Sequence, residues 1–166
     1  MKTQAEPTAQ DFMHRDVHTV PSDTPLVDIV EFLLKHELSN VPVVQMDGDK
    51  PLLRGFVSEA DCLEALASEM FYGMPIPPQT AETVMKKHPT CVSPETDIFA
   101  LTSIFTSHRY RHVPVVKGQV LLGIVSRRDV LKALDEFYRE WIRDRNREKF
   151  RVDLHKIVNH RFLVTQ

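Results

Sequence analysis

The sequence predicts a mixed α/β (α+β) fold made of two β-α-β-β-α units and closed by a C-terminal helical extension. Three observations predict it: the 166-residue length, a duplication of most of the chain, and the alternation of short apolar strands with amphipathic helices in each copy. This length suits one domain or two small ones and excludes a large catalytic barrel, which needs roughly 250 residues. The 42% hydrophobic fraction excludes a disordered chain.

The duplication appears when the sequence is shifted by 72 residues, which aligns residues 8–44 with the second half without a gap. Val-Pro-Val-Val at residues 41–44 then meets the same four residues at 113–116. Segment 45–50 contains four extra residues, and beyond it Gly-x-Val-Ser-x-x-Asp occurs at 55–61 and again at 123–129. A repeat of this kind predicts two copies of one structural unit.

In the first copy, Thr8 can N-cap a short helix that ends near Met13, and an extended piece follows at 18–20. The next helix is amphipathic, and its apolar residues are expected on one face: Leu26, Ile29, Val30, Leu33 and Leu34. Strands are predicted at 41–45 and 52–57, with a turn at Asp47-Gly48 between them. A closing helix runs from residue 58 to about 69.

The second copy repeats this order, with a leading helix between Thr80 and Met85 and an extended piece at 90–92. Its strands at 113–117 and 120–125 are joined at Lys117-Gly118, and its closing helix runs from residue 126 into the 130s or 140s. We therefore predict a first domain at 1–70, a linker at 71–79, a second domain at 80–137 and a helical extension at 138–166.

Several classes of protein find no support in the sequence. No apolar run approaches the ~20 residues of a membrane span and no signal-peptide core is present, so we expect a cytoplasmic protein without membrane attachment. Cys62 and Cys91 lie among apolar neighbours and are interpreted as small core residues. No nucleophile motif, phosphate-binding glycine loop or metal motif appears, which predicts a protein that is not an enzyme and has neither cofactor nor metal.

The charge is distributed unevenly along the chain. Residues 1–82 carry 14 acidic and 5 basic side chains, whereas residues 83–166 carry 9 acidic and 16 basic ones. Such uneven halves suggest that the basic half handles an anion, although a solvated basic surface is the commoner explanation.

The Ser-x-x-Asp pairs, Ser58 with Asp61 and Ser126 with Asp129, stand where a strand passes into a helix. Each pair can form a capping box. A carboxylate at such a place can also accept both hydroxyls of a ribose, and the helix N-terminus attracts phosphate. Capping and binding are compatible.

The duplicated strand and the duplicated Gly-x-x-Ser-x-x-Asp motif resemble two cystathionine-β-synthase (CBS) domains in tandem, the Bateman module, over roughly residues 8–137. The resemblance implies a pseudo-twofold arrangement with two clefts. Each cleft can hold an adenosine-type ligand such as AMP, ADP, ATP or S-adenosylmethionine. It also implies an allosteric sensor rather than a catalyst, a homodimer, and a regulated protein partner that the sequence does not identify.

The family pattern also implies which residues form each cleft. We call the cleft of Ser58 and Asp61 the first cleft and that of Ser126 and Asp129 the second cleft. The first cleft is expected to contain Ser58, Asp61, Phe56, Asn40, Thr90 and Tyr110. The second cleft is expected to contain Ser126, Asp129, Arg111, His112, Ile124, Arg128, Val17, His18, Leu38 and Ser39.

Arg111 and His112 lead to the expectation that the second cleft binds a phosphorylated ligand first, because a guanidinium holds phosphate with two hydrogen bonds. The equivalent Ser39 and Asn40 carry no charge. His36 and His108 are interpreted as helix ends rather than metal ligands.

The segment from Leu134 to the C-terminus departs from the repeat. Phe137, Tyr138, Trp141 and Ile142 form an apolar stripe, followed by residues 143–149 of mixed charge, which favour an exposed, ion-paired helix. Apolar residues in 150–164 are expected to pack on the module or to dock a second subunit. Two alternatives to ligand sensing remain: a structural dimerisation module with empty clefts, and nucleic-acid binding through the basic tail, which the mixed charges disfavour.

Overall fold

The computed structural model describes residues 5–72 and 77–149, with side chains except at Tyr72 and beyond Arg145. The described residues form a mixed α+β fold, which confirms the predicted class. In the first repeat the elements are α1 (Ala9–Phe12), β1 (Val20–Pro21), α2 (Leu26–Lys35), β2 (Asn40–Asp47), β3 (Lys50–Ser58) and α3 (Glu59–Tyr72). In the second they are α4 (Ala81–Val84), β4 (Lys86–Lys87), α5 (Ile98–His108), β5 (His112–Lys117), β6 (Val120–Ser126) and α6 (Arg127–Lys149).

The strands form one sheet in the order β1-β2-β3-β6-β5, with β4 paired to β3. The antiparallel hairpins β2–β3 and β5–β6 turn at Gly48 and Gly118, both of which adopt the left-handed backbone conformation that glycine tolerates. The two hairpins meet through a short contact in which Leu53 N donates to Gln119 O at 2.8 Å, next to the pair Leu52 and Val120.

Each repeat has its own hydrophobic core, and each core includes residues from the leading helix of the other repeat. Ala9 and Met13 belong to the core formed by the second repeat, while Ala81 belongs to the core formed by the first. The segments that follow these helices continue the exchange, because His14 pairs with Ile124 of β6 and Lys86 pairs with Phe56 of β3. The leading helices therefore bind the two repeats into one unit.

One helix face departs from the expectation. Leu26, Ile29 and Leu33 of α2 are buried as predicted, but Leu34 is 73% exposed. At 100° per residue, Leu34 lies next to Val27 at the outer edge of the apolar stripe, and Val27 is also exposed. The correction leaves an apolar strip on the solvent side of the first repeat.

The C-terminal part of the described chain is a single helix. α6 runs without interruption across the predicted boundary at residue 137, and Phe137 packs edge-on against Phe99 of α5. Further along, Arg139 pairs with Asp135 and Arg145 lies over the Trp141 ring, while the ion pairing predicted within 143–149 stays a prediction. The predictions for 150–166 lie outside the described residues.

The histidines at the helix ends and the two cysteines lie within the described residues. His36 caps the end of α2 and His108 is the last residue of α5, as expected for helix ends. Cys62 is buried and Cys91 is half-buried. Within the described parts of the chain, every helix is too short or too polar to cross a lipid bilayer.

The crossing of the leading segments predicts a strong sensitivity at Gly123. A Cβ atom at this position would lie 2.7 Å from the His14 carbonyl oxygen, so the His14 segment would have to move off β6. We expect Gly123→Ala to lower the free energy of unfolding by about 1–3 kcal/mol in a urea titration, the range found for overpacked sites. Gln119→Ala in the exposed turn is the control and should change it by less than about 0.5 kcal/mol. An unchanged midpoint for Gly123→Ala would contradict the close approach.

Candidate functional site

The first cleft is a cavity of about 870 Å³ between the two repeats. All six residues predicted for it lie on its wall: Asn40, Phe56, Ser58, Asp61, Thr90 and Tyr110. Thr90 and Tyr110 come from the second repeat, and their hydroxyl oxygens are 2.9 Å apart. The structure thus brings these residues together, and their part in ligand binding stays a prediction.

Both Ser-Asp pairs form the capping box that their spacing predicts. In the first cleft, Ser58 N and Oγ donate to Asp61 Oδ2 at 2.8 and 2.5 Å, and Asp61 N donates back to Ser58 Oγ at 3.3 Å. In the second cleft, Ser126 N and Oγ donate to Asp129 Oδ2 at 2.9 and 2.5 Å. One carboxylate oxygen of each pair is therefore used for capping, and Oδ1 is left for other partners.

Each Oδ1 atom meets a basic side chain from the opposite repeat. Lys86 Nζ lies 3.4 Å from Asp61 Oδ1, and His14 Nε2 lies 3.1 Å from Asp129 Oδ1. The aspartate side chains are nearly buried, whereas the basic partners are mostly exposed, so the basic groups can leave while the carboxylates stay in place. The sequence interpretation missed Lys86 and His14. The repeat could have revealed them, because the 72-residue shift aligns His14 with Lys86, and each directly follows an aligned methionine, Met13 or Met85.

Arg111, His112 and Ser39, which were expected in the second cleft, line the first cavity. The Arg111 guanidinium therefore extends to the first cleft, and the part of Ser39 and His112 in the second cleft stays a prediction. The backbone and the side chain of Arg111 point to different clefts: its carbonyl accepts from Arg127 N at the start of α6, but its guanidinium lies 4.0 Å from the Glu59 carboxylate at the start of α3. Sequence register gives the place of the backbone and not the direction of the side chain.

His112 lies at the junction of the two clefts. Its Nδ1 atom is hydrogen-bonded to Nδ2 of Asn40 at 3.0 Å, a contact between repeat-equivalent positions. Burial lowers the pKa of His112, and the nearby Asp129 carboxylate acts against this change. His112 thus lines the first cavity and is also within the electrostatic influence of the carboxylate of the second cleft.

The remaining residues predicted for the second cleft differ in their surroundings. The His18 ring packs on Phe32 and His36, and Leu38 packs against the first core. Val17 and Ile124 are half-buried, and Arg128 is exposed on α6. His18 and Leu38 are the repeat equivalents of Thr90 and Tyr110, which places an aromatic and an aliphatic side chain where the first cleft has two hydroxyl groups.

The wall of the first cavity also carries more positive charge than the Gly-x-x-Ser-x-x-Asp motif at 55–61 indicates. Its wall includes four lysine and arginine side chains and two acidic ones: Lys86, Lys87, Arg109, Arg111, Glu59 and Asp61. His88 and His112 add two groups that can carry a proton. Among the described residues, no three His, Cys, Asp or Glu side chains come together as a metal site. The surplus of lysine and arginine over acidic side chains favours an anion in this cavity.

Comparison with known proteins identifies the family. The family model for the CBS domain matches residues 9–68 and 81–136, and the chain belongs to this family as a tandem pair. It is similar to "CBS domain-containing protein CBSX3, mitochondrial" of Arabidopsis thaliana, with 29% identity over 119 residues, or 72% of this chain. The chain spans 57% of the length of that relative and 13% of the length of a second curated one.

Solved structures with the same fold include two ligand complexes. CBSX2 of Arabidopsis thaliana in complex with AMP has a TM-score of 0.66 and 24% identity, covering 79% of this chain and 98% of that one. The CBS pair of protein MJ0100 in complex with 5'-methylthioadenosine and S-adenosyl-L-methionine has a TM-score of 0.65 and 20% identity, covering 80% and 98%. At this level of identity the likeness establishes the fold.

The environment of Asp129 predicts a pH-dependent contribution to stability. Burial opposes ionisation, but hydrogen bonds from Ser126 and the pairing with His14 hold the pKa of Asp129 below its usual 3.8. A lowered pKa means that ionised Asp129 stabilises the fold above that value and that this contribution is lost as the pH falls through the folded-state pKa. Asp129→Asn should therefore lower the free energy of unfolding by about 1 kcal/mol near neutral pH and by much less in acid, well below the usual pKa of 3.8.

Urea titrations at both pH values measure this difference. Asp16→Asn is the control, because Asp16 is exposed and lies outside the regular elements. A loss that is the same at both pH values would contradict the assignment of Asp129 as an ionised, stabilising group.

Proposed function

We propose that the chain is a regulatory module that binds an adenosine-type ligand between its two repeats and does no chemistry on it. The observation that carries the proposal is the first cavity, where a carboxylate, a helix start and several cationic side chains surround a half-buried aromatic ring, Phe56. The complexes of CBSX2 and MJ0100 with adenosine-type ligands support the ligand class. AMP, ADP or ATP is the proposed ligand, with S-adenosylmethionine as the adenosyl alternative.

The ribose is proposed to bind at Asp61. Its hydroxyls donate to Oδ1, the carboxylate oxygen that capping leaves unused, and Lys86 moves aside toward solvent. Phe56 from β3 provides an apolar wall for the flat base. This use of a carboxylate follows the acid that accepts the ribose hydroxyls in dinucleotide-binding folds.

The phosphate is proposed to bind between the start of α3 and the cationic wall. The first backbone N–H groups of a helix and its positive end attract anions, and α3 is 14 residues long. Arg111 is close enough to this helix start to contact Glu59, so its guanidinium can exchange that weak, exposed ion pair for a phosphate. Arg109 and Lys87 add positive charge on the same cavity.

The second cleft is proposed as the weaker site for a phosphorylated ligand, which reverses the expectation from the sequence. It retains Ser126, Asp129 and the helix start of α6, but Arg111 extends to the other cavity. His14 is paired with Asp129, so a ribose has to displace it. An uncharged adenosyl ligand suits this cleft better than a nucleotide does.

Calorimetric titration of single-site variants tests the ranking. Asp61→Ala and Arg111→Ala should each weaken AMP binding by about ten- to a hundredfold, because a charge-assisted hydrogen bond contributes about 1.5–3 kcal/mol. Asp129→Ala is the matched control and should leave the tight event unchanged. Adenosine lacks the phosphate, so Arg111→Ala should bind it as the unmodified protein does.

The opposite pattern, in which Asp129→Ala removes tight AMP binding and Asp61→Ala spares it, would overturn the ranking. No binding of AMP, ATP, 5'-methylthioadenosine or S-adenosylmethionine to the unmodified protein would overturn the ligand proposal. That result would favour a structural dimerisation module with empty clefts.

Regulation requires that the ligand bind two conformations of the module with different affinity. Both clefts are lined by residues of both repeats, so a ligand that draws these residues together changes how the repeats are placed. We propose that this change is passed to a regulated protein partner.

We also propose that the module is a homodimer. The outer helices leave large apolar side chains in contact with solvent, among them Leu34, Phe71, Leu131 and Trp141, and such surface favours association. Light scattering at tens of micromolar should give twice the 19.2 kDa chain mass, and a monomer mass at that concentration would contradict the proposal.

A further inference from the structure

A second cavity, of about 760 Å³, contains none of the residues of the two Ser-Asp pairs, and we call it the side pocket. Of the described residues, it shares Lys87 and His88 with the first cavity. Both repeats contribute to its wall, because the α4–β4 segment of the second repeat lies against the turn after β1 and the β2–β3 hairpin of the first. The proposed nucleotide site leaves this pocket without a ligand.

The side pocket has an acidic end. Asp23, in the turn between β1 and α2, and Glu82, in α4, both line it and are both exposed. The two segments are joined by a backbone hydrogen bond, in which Glu82 N donates to Ser22 O at 2.9 Å. This bond brings one carboxylate from each repeat to the same part of the pocket.

The pocket also has a basic end, on the paired strands β3 and β4. Gly55 is opposite Lys87 in this antiparallel pair, so Arg54 and Lys87 lie on adjacent strands, one residue out of register. Arg54 Nε and Nη2 both donate to Gln45 Oε1, the first at 2.9 Å. The guanidinium is therefore held in place, and its Nη1 atom is left for another acceptor.

The two ends do not neutralise each other. Within residues 5–72 and 77–149, no ion pair joins Asp23 or Glu82 to Arg54 or Lys87, so more than 4.0 Å separates their carboxylate oxygens from their basic nitrogens. Apolar side chains also line the pocket, among them Met85. The pocket thus combines opposite charges at a distance with apolar surface.

The second repeat lacks this distribution of charge. The repeat shifts align Arg54 with Leu122 and Glu82 with Gln10, so each end loses one charged group at the equivalent positions. The fold of the repeat therefore does not require these charges, and they are a property of the side pocket.

We propose that the side pocket binds a small zwitterion of the amino-acid class. Its ammonium group donates hydrogen bonds to Asp23 and Glu82, and its carboxylate accepts them from Arg54 and Lys87. A plain anion would leave the two carboxylates of the pocket unpaired, and a plain amine would leave the two cations unpaired. A molecule that carries both charges satisfies both ends.

Lys87 links this pocket to the proposed nucleotide site, because its side chain lines both cavities. One ammonium group that binds the carboxylate of a zwitterion is drawn away from the phosphate of AMP. We therefore expect the two ligands to weaken each other's binding by the same factor. This linkage, unlike the side pocket itself, rests on the proposed function.

Calorimetric titration of the nucleotide-free protein tests the pocket by itself. Glycine, 4-aminobutyrate and 6-aminohexanoate are the probes, because they separate the same two charges by increasing lengths. At least one should bind at about 10 mM, a concentration that fills a site with a millimolar dissociation constant. Butyrate and butylamine, which each carry one of the two charges, should bind about tenfold more weakly than 4-aminobutyrate or not at all.

Single-site variants test the location. Arg54→Gln and Glu82→Gln should each raise the dissociation constant of the tightest zwitterion by about three- to tenfold, since each removes one charged contact at an exposed site. Neither residue lines the first cavity, so AMP binding should be unchanged in both. Glu95→Gln is the matched control, because Glu95 is the exposed repeat equivalent of Asp23 and should leave zwitterion binding unchanged.

Three outcomes would contradict the site. If none of the three zwitterions binds, the side pocket is not an amino-acid site. If butyrate binds as tightly as 4-aminobutyrate, the pocket takes a plain anion and the proposed class is wrong. If Arg54→Gln and Glu82→Gln leave binding unchanged, the zwitterion binds elsewhere.

The linkage is measured by repeating the zwitterion titration with AMP at saturation. The dissociation constant should rise at least about twofold, and Lys87→Gln should abolish the rise because it removes the shared group. An unchanged constant in the presence of bound AMP would overturn the linkage. Absence of AMP binding would instead contradict the proposed function, while the titrations without nucleotide still decide on the side pocket.

Discussion

The close crossing of each leading segment over the last strand of the opposite repeat is the constraint on which the rest of this structure depends. Gly123 lets the His14 backbone approach β6, and Gly55 lets Met85 and Lys86 approach β3. The crossing buries Ala9 and Ala81 in cores that belong mainly to the other repeat. It also brings His14 and Lys86 to the aspartates that end the capping boxes. A side chain at either glycine would displace a cleft wall as well as a core residue.

The capping box shows how one local arrangement serves both stability and binding. Serine and aspartate satisfy the backbone N–H groups that the first turn of α3 or α6 would otherwise leave without partners. The same geometry fixes the carboxylate at the cavity and leaves Oδ1 facing the opposite repeat. A rigidly held acceptor loses little conformational entropy on binding, so a site of this kind follows from the cap at small additional cost.

Duplication supplies two equivalent backbones, and substitutions at equivalent positions make them different. Asn40 and His112 are equivalents that bond to each other at the junction, and only one of them titrates. Lys86 and His14 are equivalents that pair with equivalent aspartates, one through an ammonium group and the other through an imidazole ring. The outer helices repeat this pattern, because the 68-residue shift aligns the exposed Glu64 of α3 with the exposed Lys132 of α6. The asymmetry of the module therefore lies in its side chains.

The sequence by itself determined the α+β class, the order of the elements, the hairpin turns and both capping boxes. These features depend on the spacing of residues that are close together in the sequence, and this spacing is the same in the two copies. It did not determine which cleft Arg111 serves, because the backbone of this residue contacts α6 while its side chain extends to α3. Nor did it identify Lys86 and His14, since each reaches its aspartate from the other repeat. Nor did the sequence show that Leu34 is exposed, because the limits of the buried face of a helix depend on which elements pack against it. Contacts between segments distant in the chain, and the direction each side chain takes there, are decided by tertiary packing alone.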